Sequence, residues 1–148
     1  MRNDLVEYAP APPSRSGPHG AGDSPNKTVP LDQAQRLLDL GLPLQAKRVL
    51  QGAAQGAPGA ERALWDGLAR LASGVTQARR GNAAGAIALI RRGLEALPAE
   101  DATVLGIDAR GLRKWGRLSI MGLSAFDGTA SLAPLRLRAA ADANVEGD

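Results

Sequence analysis

The chain has 148 residues, room for one domain and some tail, and 44% of them are hydrophobic although only 3% are aromatic, so its core must be Leu and Ala. Cysteine is absent and His19 is the single histidine, which excludes disulfides and thiolate chemistry and leaves too few donors for a conventional zinc centre or a Ser-His-acid triad. The net charge of +3 is unevenly placed: residues 1–30 are neutral, 31–118 carry thirteen basic against eight acidic side chains, and 119–148 carry two against four.

Residues 1–29 hold Pro10, Pro12, Pro13, Pro18 and Pro25 among glycines and serines with no apolar periodicity, which predicts a disordered Pro/Gly/Ser-rich arm. Pro10-Ala11-Pro12-Pro13 is short enough to read as plain tail rather than as a polyproline docking motif. The amino terminus lacks the apolar stretch of a secretory signal, and no run of about 18 apolar residues spans a bilayer. The expected location is therefore cytoplasmic.

From Pro30 the pattern is helical. Leu31, Ala34, Leu37 and Leu38 share one face of a first helix that Gly41 ends. Pro43 suits the first turn of a second helix, where a missing N–H costs nothing, and that helix turns Ala46, Leu50 and Ala53 inward with Val49 alongside. Gly52, Gly56, Pro58 and Gly59 mark the loop that follows.

The stretch from Leu64 to Pro98 predicts an antiparallel helical hairpin. Leu64, Leu68, Leu71, Val75 and Ala78 recur at steps of four, three, four and three, which stacks them on one face of a helix. Ala86, Ile90, Gly93 and Leu97 do the same on the next, widened by Ile87 and Leu94, with Arg91 and Glu95 four apart on its polar side. Such a pair is worth about 0.3 kcal/mol. Gly81 suits the left-handed residue that ends one helix, Asn82 caps the next, and Pro98 stops it. Beyond an irregular segment with Val104 and Leu105, Asp108 is a helix cap, and Leu112, Trp115 and Leu118 or Ser119 trace a fifth short helix. After Ile120 glycine, serine and proline return, which predicts a poorly ordered tail over 121–148, with Leu132, Leu135 and Leu137 forming at most a brief helix or strand.

The expected organisation is thus a disordered arm (1–29), a helical domain (30–120) and a tail (121–148). The fold class is all-α: a compact bundle of four to five helices around the central hairpin, with disordered ends.

The chemical inventory is thin. Neither dinucleotide-type nor P-loop glycine spacing occurs. Asp32, Asp39, Glu61, Asp66 and Asp108 read as solvated, dipole-pairing or capping carboxylates before they read as catalysts. Three basic pairs, Lys47-Arg48, Arg79-Arg80 and Arg91-Arg92, would grip phosphate or carboxylate if they converged. Arg113-Lys114 beside Trp115 is the one basic stretch with an aromatic, and no stacking platform for single strands is evident.

Several of these residues carry a resemblance. Trp65, Gly67 and Leu68, then Arg80, Gly81, Asn82, Gly85 and Ala86, then Gly106, Ile107 and Asp108 make the stretch from Leu38 to about Trp115 similar to the small helical domain-of-unknown-function family 309. Where that family shows an aromatic-His-Ala-His-Glu run, this chain reads Leu44-Gln45-Ala46-Lys47-Arg48, with Gln51 in place of a second glutamate, Ala54 in place of a tryptophan and Gln77 in place of a further histidine. The resemblance implies the scaffold and no activity. The hairpin also resembles a tetratricopeptide unit, with Gly74, Gly81, Ala86, Gly93 and Pro98 at its small-residue and proline positions, but no second copy stands at that repeat's period.

The sequence therefore predicts a non-enzymatic protein-interaction or structural module without catalytic residues, metal or cofactor. Its candidate surface is Trp65, Arg70, Gln77, Arg80 and Asn82, although Trp65 also suits a core anchor and Asn82 a cap. A protein partner or self-association is expected, and no membrane. Two alternatives stay open: an enzyme with a carboxylate/arginine site in the helical groove, and weak nucleic-acid binding through an arginine-rich face.

Overall fold

Five amphipathic stretches separated by glycine- and proline-marked turns produce five helices among the described residues: α1 (Pro25–Asp39), α2 (Pro43–Gln55), α3 (Gly59–Arg79), α4 (Ala83–Glu95) and α5 (Ala109–Ala125). The computed structural model describes residues 25–99, 104–125 and 132–138, and the fold is all-α. The expected arm over 1–24 and the parts of the expected tail at 126–131 and 139–148 lie outside the described residues. Each helix packs on its predecessor, α5 on α4 across a longer loop, and α3, the longest, lies between α2 and α4.

The hairpin of α3 and α4 forms as expected. Leu68, Leu71, Ala72, Ala86 and Ile90 are fully buried, each large aliphatic side chain contributing about 1.5–3 kcal/mol of transfer free energy. The two helices cross at Gly67 and Gly93. A Cβ on Gly93 would lie 2.7 Å from the Gly67 carbonyl oxygen and from the Leu71 side chain, so the approach requires a bare Cα. The turn has Gly81 at φ +82°, and the Asn82 and Gly81 amides donate to the Gln77 and Ala78 carbonyls at 2.9 and 3.0 Å. That pair of bonds is the Schellman ending.

The turn between α1 and α2 is built in the same way. Gly41 sits at φ +80°, and the Leu42 and Gly41 amides donate to the Leu37 and Leu38 carbonyls at 2.8 and 3.0 Å. The likeness extends into the helices. Leu31, Ala34, Ala46 and Leu50 precede Leu71, Gly74, Ala86 and Ile90 by forty positions each, and all eight are buried. Pro58 and Pro98 stand at that same offset of forty, and α2 and α4 both have 13 residues. The second hairpin missing at the tetratricopeptide period of roughly 34 residues therefore exists at a longer one, because α3 is longer than a minimal repeat helix.

Three boundaries differ from the sequence expectation. First, α1 begins at Pro25 and takes Pro30 inside it as its sixth residue, where the ring forgoes the bond to the backbone carbonyl four residues earlier at a cost of about 3 kcal/mol. Second, α5 continues past Ile120 to Ala125, because Leu123 carries its buried face one turn further and Ser119, rather than the exposed Leu118, lies inward. Third, residues 132–138 are no loose tail but a strap across the bundle. Leu135 and Leu137 are buried, the Trp115 indole Nε1 donates to the Ala133 carbonyl at 2.8 Å, and the Gln35 amide holds both sides of the strap. Its Nε2 donates to the Leu135 carbonyl at 3.1 Å and its Oε1 accepts from the Leu137 amide at 2.8 Å. Arg138 pairs with Asp32 and forms a single antiparallel bridge with Ile107. Both partners of the Arg138–Asp32 pair are partly exposed, so the two Gln35 bonds and the buried leucines, rather than the ion pair, hold the strap.

Candidate functional site

The turn Arg80-Gly81-Asn82 places three of the five expected surface residues together. Asn82 is the N-cap of α4, its Oδ1 accepting from the Gly85 amide at 3.0 Å while its Nδ2 donates to Gln77 Oε1 at 3.0 Å. Both amide side chains are thereby spent on building the turn, and of the three only Arg80 extends freely from it. Arg70 is exposed two helical turns earlier on α3. Trp65 is 3% exposed and belongs to the core, so it offers no surface; its position on the apolar stripe with Leu64 and Leu68 explains why.

Arg79, beside Arg80, reaches across the fold. Its Nη1 donates to the Gly41 carbonyl at 2.8 Å and ties the two glycine turns together, although they are 38 residues apart along the chain. Between the turns lies a groove of about 370 Å³ lined by Leu42, Pro43, Leu44, Arg48, Arg79 and Arg80, together with Gly41, Gln45 and Thr76. Three guanidinium groups flank an aliphatic floor, and among the described residues no carboxylate lines it. Leu42 is 38% exposed and occupies the N-cap position of α2 without a side-chain capping bond. The Thr76 hydroxyl donates to the Ala72 carbonyl of its own helix.

The basic pairs thus converge in part. Arg48 meets Arg79 and Arg80, whereas Arg91 lies beside Arg117, Ile120 and Met121 on a different surface between α4 and α5. One continuous arginine face, as a nucleic-acid binder would use, is not formed by these pairs.

The carboxylates are dispersed. Asp32 is paired with Arg138, Asp39 accepts from the Gln35 amide at 2.9 Å, and Asp108 caps α5 by accepting from the Gly111 amide at 3.0 Å. Glu61 stands in the first turn of α3. Asp66 and Glu61 are half-buried while Arg70 is exposed, so these groups do not make a closed carboxylate/arginine site. Among the described residues no three His, Cys, Asp or Glu side chains gather in a way that would hold a metal ion, and His19 lies outside them. No described helix is long and apolar enough to cross a membrane.

The sequence signals for the groove were the basic pairs; nothing in them indicated which pairs would meet, because the Gly41–Arg79 bond joins distant parts of the chain. Comparison with protein-family models, curated proteins and solved structures finds no match.

Proposed function

We propose that the protein is a cytoplasmic, non-enzymatic protein-interaction module that receives an acidic, leucine-bearing segment of a partner protein in the groove between its two glycine turns. The observation that carries this reading is the lining of the groove: Arg48, Arg79 and Arg80 around Leu42, Pro43 and Leu44, without a carboxylate among the described residues. Planar guanidinium forks match carboxylates in bidentate geometry, and the aliphatic floor supplies apolar area for the residue between two acidic ones. Self-association through the same groove would set like charges against one another, which disfavours a second copy as occupant.

The resemblance to family 309 fits this reading, and we propose that the chain is a divergent member. Gln45 and Arg48 occupy positions where that family carries a histidine and a glutamate, and both line the groove. Exchanging those groups for an amide and a guanidinium replaces metal- and proton-handling chemistry with anion recognition.

The test is fluorescence anisotropy of the full chain with a labelled peptide of alternating glutamate and leucine. Binding should fall as salt rises, and Arg80→Glu and Arg48→Glu should each weaken it by about tenfold, equivalent to about 1.4 kcal/mol. Equal binding of a lysine/leucine peptide, or Arg80→Glu binding as the wild type does, would refute the proposal.

A further inference from the structure

α5 buries Leu112, Trp115, Gly116, Ser119 and Leu123 against the rest of the bundle and leaves the opposite face in solvent. Arg110, Lys114, Arg117 and Met121 recur on that outer face at steps of four, three and four, with Leu118 beside them, and all five are exposed. The face is polarised along its length. Every basic residue of α5 (Arg110, Arg113, Lys114 and Arg117) falls in its first half, and the helix has no acidic residue. Its second half presents Leu118 and Met121, which are 56% and 61% exposed.

Helix stability does not account for this arrangement. Cations near a helix N-terminus oppose the macrodipole, and large apolar side chains left in water forgo the free energy of burial. Asp108, the carboxylate that adjoins these cations, is already engaged as the cap by the Gly111 amide. Arg91 of α4 extends the basic surface beside Arg117, and among the described residues no carboxylate lines the hollow that they share with Ile120 and Met121.

We propose that the outer face of α5 rests on an anionic bilayer surface, its cations among the lipid headgroups and Leu118 and Met121 at the acyl boundary. Charge selects the sign of the surface, since clustered Lys and Arg are drawn to anionic headgroups. The exposed leucine and methionine select lipid over nucleic acid. Phosphate contacts would use the cations alone, and Trp115, the one aromatic residue of α5, is buried and offers bases nothing to stack on. Shape selects a bilayer over another protein, because a convex helix lies in an interface plane without a matching groove. A second copy of this chain would set like charges together. The helix lies on the membrane without crossing it, and no described helix is long and apolar enough to span one. The contact uses none of the residues that line the groove between the glycine turns.

Co-sedimentation of the full chain with vesicles of pure phosphatidylcholine, and of phosphatidylcholine and phosphatidylserine in equal parts, tests the assignment. The protein should bind the mixed vesicles, less so as salt rises, and should not bind the neutral ones. Lys114→Glu with Arg117→Glu should weaken binding by about tenfold or more, and Leu118→Ser with Met121→Ser by about fivefold. Arg48→Glu, in the groove, should lose less than either pair. Equal binding to neutral vesicles, no binding to mixed ones, or folded α5 variants that bind as the wild type does would overturn the proposal. So would a larger loss from Arg48→Glu. A duplex oligonucleotide bound more tightly than mixed vesicles, and equally well by the Leu118→Ser/Met121→Ser protein, would reassign the face to nucleic acid and overturn it too. Should either pair fail to fold by circular dichroism, the vesicle comparison on the wild type decides alone.

Discussion

The α1–α2 and α3–α4 hairpins share a turn, with Gly41 at φ +80° and Gly81 at φ +82°, and share buried positions at an offset of forty residues. They differ in what surrounds that framework. The first turn is flanked by Leu40, Leu42 and Pro43, and α2 has no side-chain cap. The second is flanked by Arg79, Arg80 and Asn82, and α4 is capped by Asn82. Backbone hydrogen bonds and buried small residues define the hairpin, and side chains at the turn are left to vary. One turn here supplies apolar surface and the other positive charge, and the Arg79–Gly41 bond sets them side by side.

If the two hairpins are equivalent in packing, their central aliphatic residues should matter equally. Leu50→Ala and Ile90→Ala each empty a fully buried position, and each should cost about 2–5 kcal/mol in urea denaturation. A loss from Leu50→Ala near zero would break the equivalence and make α1–α2 an appendage. The helix crossings should separate the two more finely. Gly93→Ala forces a Cβ to within 2.7 Å of the Gly67 carbonyl oxygen and should cost about 1–3 kcal/mol. Its counterpart Ala53 already carries a Cβ and is only half-buried, so Ala53→Gly should cost about 1 kcal/mol through helix propensity. If Gly93→Ala proves neutral, α3 and α4 are further apart than described. The smallest difference lies at the caps. Asn82→Ala removes an accepted hydrogen bond and should cost about 1 kcal/mol. Leu42→Ala removes none and should change stability by only about 0.5 kcal/mol. Equal losses at both caps would show that the Asn82 side chain contributes nothing as a cap.

These residues also show what can be read from sequence. Gly81, Asn82 and Asp108 were legible because capping is a local matter, settled within three or four positions. The stripe from Leu64 to Ala78 was legible for the same reason. The first hairpin was visible as two helices but not as a copy of the second, since Ala34 matches Gly74 and Leu50 matches Ile90, and such exchanges leave little identity to detect. The strap was hidden more deeply. Its leucines are few, and the Gln35 side chain that holds them is 100 and 102 residues away from its partners. Trp65 sat on the apolar stripe and belongs with the core. In the groove, Arg48 and Arg79-Arg80 were conspicuous as charges, but their meeting depends on the 38-residue reach from Gly41 to Arg79, which no local pattern encodes.

If the proposed function holds, the two turns together make one binding surface. Amide chemical-shift mapping of the isotope-labelled full chain during titration with the glutamate/leucine peptide tests it most directly. The largest shifts should fall on residues 41–48 and 76–82 together, the two sides of the groove. Shifts confined to one turn, or gathered instead on the α4–α5 surface around Arg91 and Arg117, would contradict it.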